Sequence, residues 1–367
     1  MPIKLAKDSE YQFNYTGMQQ GKSYARLMLL PAALLLFLFL CLPLVVSVGV
    51  SLTDERLLSP NSAHFVGLEN YKRLLAVKVI ELKRANNLKE QTEDMFIYQH
   101  KRYRKLRELV RDNAELFGYS ELTQFNVFGH TRVVLARDVL FIRSFINTCK
   151  FVAMVVPMQV VLALLLALAL RRNFTGSGVL KVVFFTPVVT SMVVVCVVWT
   201  LMLHQQEGLI NQAIKYIWPA YVQIDWLNDP QWSLFAIACL SAWQGVGVQM
   251  LIILAGLQAI PNTLYEAASL DGASPWSQFR HVTLPGLRHT LIFVVLSTTI
   301  FAFALFVQVD VMTQGGPQDS TSTVLFYAIE KGFRQQQIAY GSTVCILYFV
   351  VILALSLLQK KLLSYDK

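Results

Sequence analysis

The sequence predicts an all-α integral membrane protein with six transmembrane helices. Hydrophobic residues fill 55% of its 367 positions, and the mean hydropathy is +0.48. Runs free of Asp, Glu, Lys and Arg extend over 27–53, 151–170, 182–206, 230–265, 289–309 and 335–359, each at least 20 residues long. A helix rising about 1.5 Å per residue needs about 20 residues to cross a hydrocarbon core of about 30 Å. Six spans are therefore the economical reading.

The first span, 27–53, follows a tail at 1–26 that ends on Arg26. Its apolar run is too long for the core of a signal peptide and offers no small-residue cleavage site, so it is expected to stay as an anchor. Residues 54–144 form the one long polar stretch. Tyr71, Leu74, Leu75, Val79 and Leu82 recur at helical spacing, as do Tyr103, Leu106, Leu109 and Val110. This pattern predicts an extracytoplasmic helical hairpin over about 69–117, with an irregular return through Gly118 and Gly129. The hairpin reads either as a dock for a partner such as a solute-binding protein or as a solvated insertion. The other five spans make a core over 145–359, with a polar segment at 258–288 and a closing tail at 360–367. Pro43, Pro157 and Pro187 read as kinks, since neighbours in a helical bundle can satisfy the backbone that a proline frees.

Lys and Arg in the short connections set the orientation. With the N-terminus inside, the segments 1–26, 171–181, 258–288 and 360–367 hold 12 basic residues, against three outside: Lys215, Lys331 and Arg334. The stretch 51–144 holds 16 more basic residues together with 12 acidic ones. Long translocated loops largely escape the rule, so both termini are expected in the cytoplasm.

Several function classes fall away. The net charge of +9 fits basic helix ends beside anionic headgroups, with no pattern that points to nucleic acid. Cys41, Cys149, Cys196, Cys239 and Cys345 fall in five different expected helices and read as small buried residues rather than disulfides or a metal site. His281 and His289 read as interfacial. Residues Thr16–Ser23 contain Gly-Lys-Ser, but a phosphate loop needs a Gly where Thr16 stands and a strand before it. Gly245-Val246-Gly247 lacks a third Gly in register and reads as a packing surface. No nucleotide or metal site is expected in this chain. Ion-coupled carriers keep ionisable groups inside the membrane, and the six runs have none at their middles; Asp310 lies at a helix end.

The polar residues within the spans are neutral. Trp243, Gln244 and Gln249 flank a pair of glycines in the fourth span, with Trp199 in the third and Gln308 in the fifth. Amides that donate and accept hydrogen bonds, beside aromatic faces, suit an uncharged polyhydroxylated ligand. Each residue also has a packing explanation, since Trp favours membrane interfaces and Gln bridges helices.

The polar segment at 258–288 carries the most information. It places Glu266, Ala267, Ala268, Asp271, Gly272 and Ala273 in sequence, with Leu284-Pro285 further on. Small residues permit close approach by another protein, and Gly272 permits a helix to stop and the chain to reverse. The segment closely resembles the EAA loop of permease subunits in binding-protein-dependent ABC importers. Phe65-Val66-Gly67-Leu68-Glu69-Asn70-Tyr71, Phe145-Ile146-Asn147-Thr148, Ala255-Gly256-Leu257-Gln258-Ala259-Ile260-Pro261 and Thr313-Gln314-Gly315-Gly316-Pro317 are similar to segments of the carbohydrate-uptake, maltose-permease-like branch.

That resemblance implies a type I importer fold in the bacterial inner membrane. It also implies a second, homologous but non-identical permease, a dimer of ATPase subunits that binds ATP and Mg, and an extracytoplasmic solute-binding protein. Glu266 would make polar contacts with the ATPase, Ala267 and Ala268 would fit its cleft, Gly272 would allow the turn, and Leu284 and Pro285 would end the loop. The rival is an ion-coupled secondary transporter of a small polar solute, which the lack of intramembrane ionisable groups disfavours.

Overall fold

The computed structural model describes residues 28–60, 62–84, 96–98, 101–103, 106–127, 130–171 and 174–363. The tail at 1–26 with its Thr16–Ser23 run, Gly129, and residues 364–367 of the closing tail lie outside the described residues. Among the described residues, four helices are long and apolar enough to span a membrane, and two bent pairs raise the number to six.

Helix α1 spans Met28–Ser51. It contains a π turn at Phe37–Cys41, directly before Pro43, which sits where a missing N–H is tolerated. The last carbonyls of α1 have no partner within the helix. The Phe65–Tyr71 segment supplies partners: Val66 N–H bonds Leu52 O at 2.9 Å, and Asn70 Nδ2 donates to Ser51 O and Thr53 O at 3.0 and 2.8 Å. The resemblance seen there has a physical basis, because these residues close the C-terminal end of α1. Asn70 itself lies in the first turn of the short helix α2, Glu69–Leu75.

Beyond α2 the expected helical hairpin is corrected. Strands β1 (Val77–Arg84), β2 (Phe96–Tyr98), β3 (Lys101–Tyr103), β4 (Ser120–Val127) and β5 (His130–Ala136) form an antiparallel sheet in the order β3-β2-β1-β5-β4. Within the expected 69–117 hairpin, α2 (with Tyr71, Leu74 and Leu75) and α3, Leu106–Asp112, keep the helical expectation for their own residues. The apolar residues of β1 satisfy both periods, and β-branched Val77, Val79 and Ile80 favour the extended one. Pairing with β5 decides it by burying Ile80 and Leu82 against Val133 and Leu135, with Leu109 and Leu116 closing a small core. Gly118, at φ +82°, turns the chain into β4, so the supposed irregular return consists of two strands.

Helix α4, Val139–Ala169, begins twelve residues before its charge-free run, with Pro157 inside it. The third expected span is two helices, α5 (Ser177–Val189) and α6 (Met192–Met202), meeting at 101°. Thr190 is extended there, three residues after Pro187. After α7, Leu209–Ile217, helix α8 runs through Ser233–Gln258 at the centre of the core. Glycines bring its neighbours close: a Cβ on Gly247 would stand 2.3 Å from Phe184 O of α5. Helix α9, Asn262–Leu270, is followed by α10, Pro275–Gly286, which bends by 66° into α11, Arg288–Phe303. The fifth expected span also breaks, because α11 stops at Phe303 and the chain resumes as α12, Val307–Met312. Helices α13, Val324–Ile329, and α14, Ile338–Leu363, complete the fold, α14 passing the expected end at 359.

The polar face of α4 fastens the loop before α13. Ser144 Oγ lies 2.8 Å from Ser322 Oγ, Asn147 Nδ2 donates to Asp319 O and Ser322 O, and Val324 N–H donates to Thr148 Oγ1. At the start of α4, Asp138 accepts the N–H of Phe141 and the hydroxyls of Tyr327 and Tyr340. These contacts and the sheet lie at one end of the bundle; α9 and α10 lie at the other.

Candidate functional site

At the end away from the sheet, α9 presents an open surface. Glu266, Ala267, Asp271, Gly272, Leu284 and Pro285 are exposed, and Ala268 and Ala273 are half-buried. The helix stops through a paired hydrogen-bond closure: Ala273 N–H bonds Ala268 O at 2.9 Å and Gly272 N–H bonds Ser269 O at 3.1 Å. Gly272 takes φ +74°, as that closure requires. Ser274 then caps α10 by accepting the N–H of Ser277, with Pro275 at the first helical position.

The turn is braced from behind. Gln278 Nε2 donates to Ser269 Oγ and Ala273 O at 3.1 and 3.2 Å, joining α9 to α10. Tyr265 OH lies 3.0 Å from Thr283 Oγ1, and the Arg171 guanidinium at the end of α4 sits 4.2 Å over the Tyr265 ring. A Cβ on Gly256 would come 2.5 Å from Thr290 Oγ1, so α8 and α11 cross closely just behind the loop.

Sequence reasoning missed three apolar residues on this surface: Leu264, Leu270 at 89% exposure and Trp276 at 69%. The signal was available, since apolar side chains in a polar connection have no span to occupy. A rigid helix edge with small residues, flanked by exposed Leu and Trp, can seat in a protein cleft.

Within the bundle, a cavity of about 480 Å³ gathers Gln244, Gln249 and Gln308. Gln249 Nε2 donates to Thr298 Oγ1 at 3.3 Å and Gln308 Nε2 to Ser241 Oγ at 3.4 Å. Gln249 Oε1 is buried without a partner among the described residues. A buried acceptor left open is costly unless something donates to it. Gln159 of α4, absent from the sequence-based set, also lines the cavity and packs its amide over Gly245. An amide in the otherwise apolar run 151–170 was the clue.

The two tryptophans lie elsewhere. Trp199 and Trp243 stand 5.5 Å apart, centroid to centroid, and line a separate groove beside the α5–α6 break with Pro187 and Thr190. Gln244 spans the two places through a 3.5 Å contact from Nε2 to Pro187 O.

The break after α11 supplies Ala304 and Leu305 to the cavity wall. Backbone freed at membrane depth needs partners. Thr323 Oγ1 donates to Leu305 O at 2.9 Å and Tyr348 OH to Phe303 O at 2.6 Å, so two of the carbonyls at the break find side-chain donors. Helix α12 is anchored in turn by Arg334, which bonds Asp310 at 2.5 Å and Glu330 at 3.0 Å. Hydrogen bonds to Asp310 and then Glu330 hold the guanidinium above its usual pKa, so the clamp stays charged.

The model of a family described as "Binding-protein-dependent transport system inner membrane component" matches residues 140–364. The five-stranded sheet precedes the matched residues. The chain is 33% identical over 233 residues to a trehalose/maltose transport system permease of Thermococcus litoralis, covering 64% of this chain and 77% of the relative. It is 32% identical over 246 residues to a lactose transport system permease of Rhizobium radiobacter, covering 66% and 82%. In fold it is similar to a chain of a bacterial ABC transporter for the acidic polysaccharide alginate, with a TM-score of 0.65, 16% identity, and coverage of 96% of this chain and 99% of that one.

Proposed function

Because this chain belongs to the family of binding-protein-dependent transport system inner membrane components, we propose that it lines the pathway of an ATP-driven importer for a sugar or oligosaccharide. It is a multi-pass membrane permease subunit and not an enzyme; ATP hydrolysis belongs to a separate ATPase. The carbohydrate reading is supported by relatives named for trehalose/maltose and lactose transport. It is supported equally by the amide-lined cavity, whose open Gln249 acceptor suits a hydroxyl donor.

The observation that carries the mechanism is the exposed, glycine-closed helix α9 at the end of the bundle opposite the sheet. In our reading its edge, from Glu266 through Ala273, seats in the ATPase, while Leu284 and Pro285 start the return into the membrane. Closure of the ATP-loaded dimer then favours one facing of the permease over the other, a population shift driven by differential contacts. ATP and Mg are bound by that partner dimer. A second, homologous permease completes the pathway, and the solute-binding protein delivers from the outer face.

The test is uptake of labelled neutral and acidic oligosaccharides into proteoliposomes holding the permease pair, ATPase and binding protein. ATP-dependent accumulation of at least one is expected; accumulation driven by an ion gradient without ATP would replace this reading with the secondary-carrier one.

Two variant results are expected in the same system. Gln244→Leu removes an amide at the junction of cavity and groove, and Trp243→Ala removes an aromatic face. Each should slow uptake about 5- to 150-fold, the range set by losing about 1 to 3 kcal/mol, with ATPase association unchanged. Unaltered uptake by both would return these side chains to packing.

Orientation is tested by reporters. Fusions after Asn173 and after Lys367 should read as cytoplasmic, and a fusion near Asn86 as external, as the 12-to-3 asymmetry of basic residues requires. A cytoplasmic signal near Asn86 would reverse the assignment of α9 to the ATPase side.

A further inference from the structure

Lys150 is the last charged residue of α4 before the run 151–170, and its side chain is exposed. Arg143, Asn147 and Lys150 follow at the spacing of one helix face. That face lines a cavity of about 1020 Å³ at the sheet end of the bundle, roofed by Thr123 of β4 and bounded by Gln231, Phe235 and the loop that holds Gln318 and Asp319.

The charges along this wall do not balance. Arg143 stands 3.9 Å from Asp319, and both are about half exposed. Lys150 has no carboxylate partner among the described residues. Arg143 also borders an adjoining cavity that contributes Arg107 and Arg111 against Glu121. In the larger cavity itself two cations, Arg143 and Lys150, face the single carboxylate of Asp319, while Arg111 in the adjoining one is paired with Asp112. A concave, basic wall concentrates anions.

The remaining lining narrows which anion fits. Gln231 and Gln318 offer donors and acceptors, and Phe235 an apolar face, the combination that suits a hydroxylated ring. Arg143 and Lys150 lie about 10 Å apart along the helix axis at about 1.5 Å per residue, so they meet carboxylates on separate units of a chain.

We propose that this cleft is the receiving vestibule for an acidic saccharide, with Arg143 and Lys150 pairing to its carboxylates. The inference rests on the importer reading and deepens it by naming the substrate class. In the bundle cavity, the open Gln249 Oε1 can accept from a hydroxyl of the same saccharide.

The experiment is equilibrium binding of trigalacturonate and of maltotriose to the assembled transporter in nanodiscs, made once from zwitterionic lipid and once with added phosphatidylglycerol. The wild type should bind trigalacturonate at least tenfold more tightly than maltotriose in both lipids, a preference that weakens with salt. The double variant Arg143→Gln, Lys150→Gln should lose at least tenfold toward trigalacturonate and nothing toward maltotriose, while Lys150→Arg keeps the preference. No wild-type preference, equal losses for both sugars, or no loss would overturn the proposal. So would an effect confined to the phosphatidylglycerol discs, which would assign the cations to a lipid headgroup. None of these outcomes touches the importer reading, which stands or falls on ATP-dependent uptake.

Discussion

Replacing Gly272 by valine is expected to abolish substrate-stimulated ATP hydrolysis and uptake while leaving the cavity able to bind solute. The reason is conformational rather than spatial. A side chain at Gly272 would meet nothing within 4 Å, yet the residue holds φ +74°. A left-handed residue costs about 1 to 2 kcal/mol for most side chains and more for a β-branched one. Escape from that strain breaks the bonds from Ala273 to Ala268 and from Gly272 to Ser269, so α9 would end in another direction. Asparagine tolerates this conformation, so Gly272→Asn should keep most of the coupling. Ala268→Leu tests the complementary point by adding bulk to the half-buried edge of α9. It should loosen the ATPase in pull-downs. Wild-type ATPase association and uptake in both Gly272→Val and Ala268→Leu would remove α9 as the coupling element.

Asp138→Ala is expected to cause the largest loss of stability. The carboxylate caps the 31-residue helix α4 through Phe141 N–H and accepts two tyrosine hydroxyls, one from α13 and one from α14. Tyr327 and Tyr340 are both buried. Loss of the cap costs about 1 kcal/mol, and each hydroxyl left without an acceptor about 1 to 3 more. A total of about 3 to 7 kcal/mol would leave little folded, monodisperse protein after mild heating in detergent. Asp138→Asn keeps an acceptor oxygen and should recover part of the loss. An alanine variant that survives heating as the wild type does would show that the carboxylate holds nothing together.

The parts of this architecture that were legible in the sequence are those fixed by solvent. Charge-free runs of about 20 residues have few alternatives to crossing a bilayer, and Gly272 in the polar segment between two of them marked where α9 would stop and the chain turn. What sequence missed was decided by contacts between distant residues. In β1, Val79 and Leu82 fit a helix stripe as well as a strand, and only the pairing with β5 chooses between them. The breaks at Thr190 and at Ala304 to Phe306 sit within apolar runs that composition treats as uniform. The second is held by Thr323 and Tyr348, further along the chain, which supply donors to Leu305 O and Phe303 O. The expected ligand set divides for a related reason. The three glutamines converge because α8 and α12 border one cavity, whereas Trp199 and Trp243 find each other first.

The close crossing of Gly256 and Thr290 gives α11 a fulcrum. Below it, Gln278 locks α9 to α10, so a push on one is delivered to both and passes through the 66° bend into α11. Above it runs most of a stiff, 16-residue rod, about 24 Å long, that ends at the open backbone of the cavity wall. If α9 seats in the ATPase as proposed, the short arm lies on the loop side and the long arm runs to the cavity wall, so a small displacement of α9 would be geared up into a larger one at Ala304 and Leu305. Glycine at 256 sets the gearing, because any larger residue would part the two helices and move the pivot.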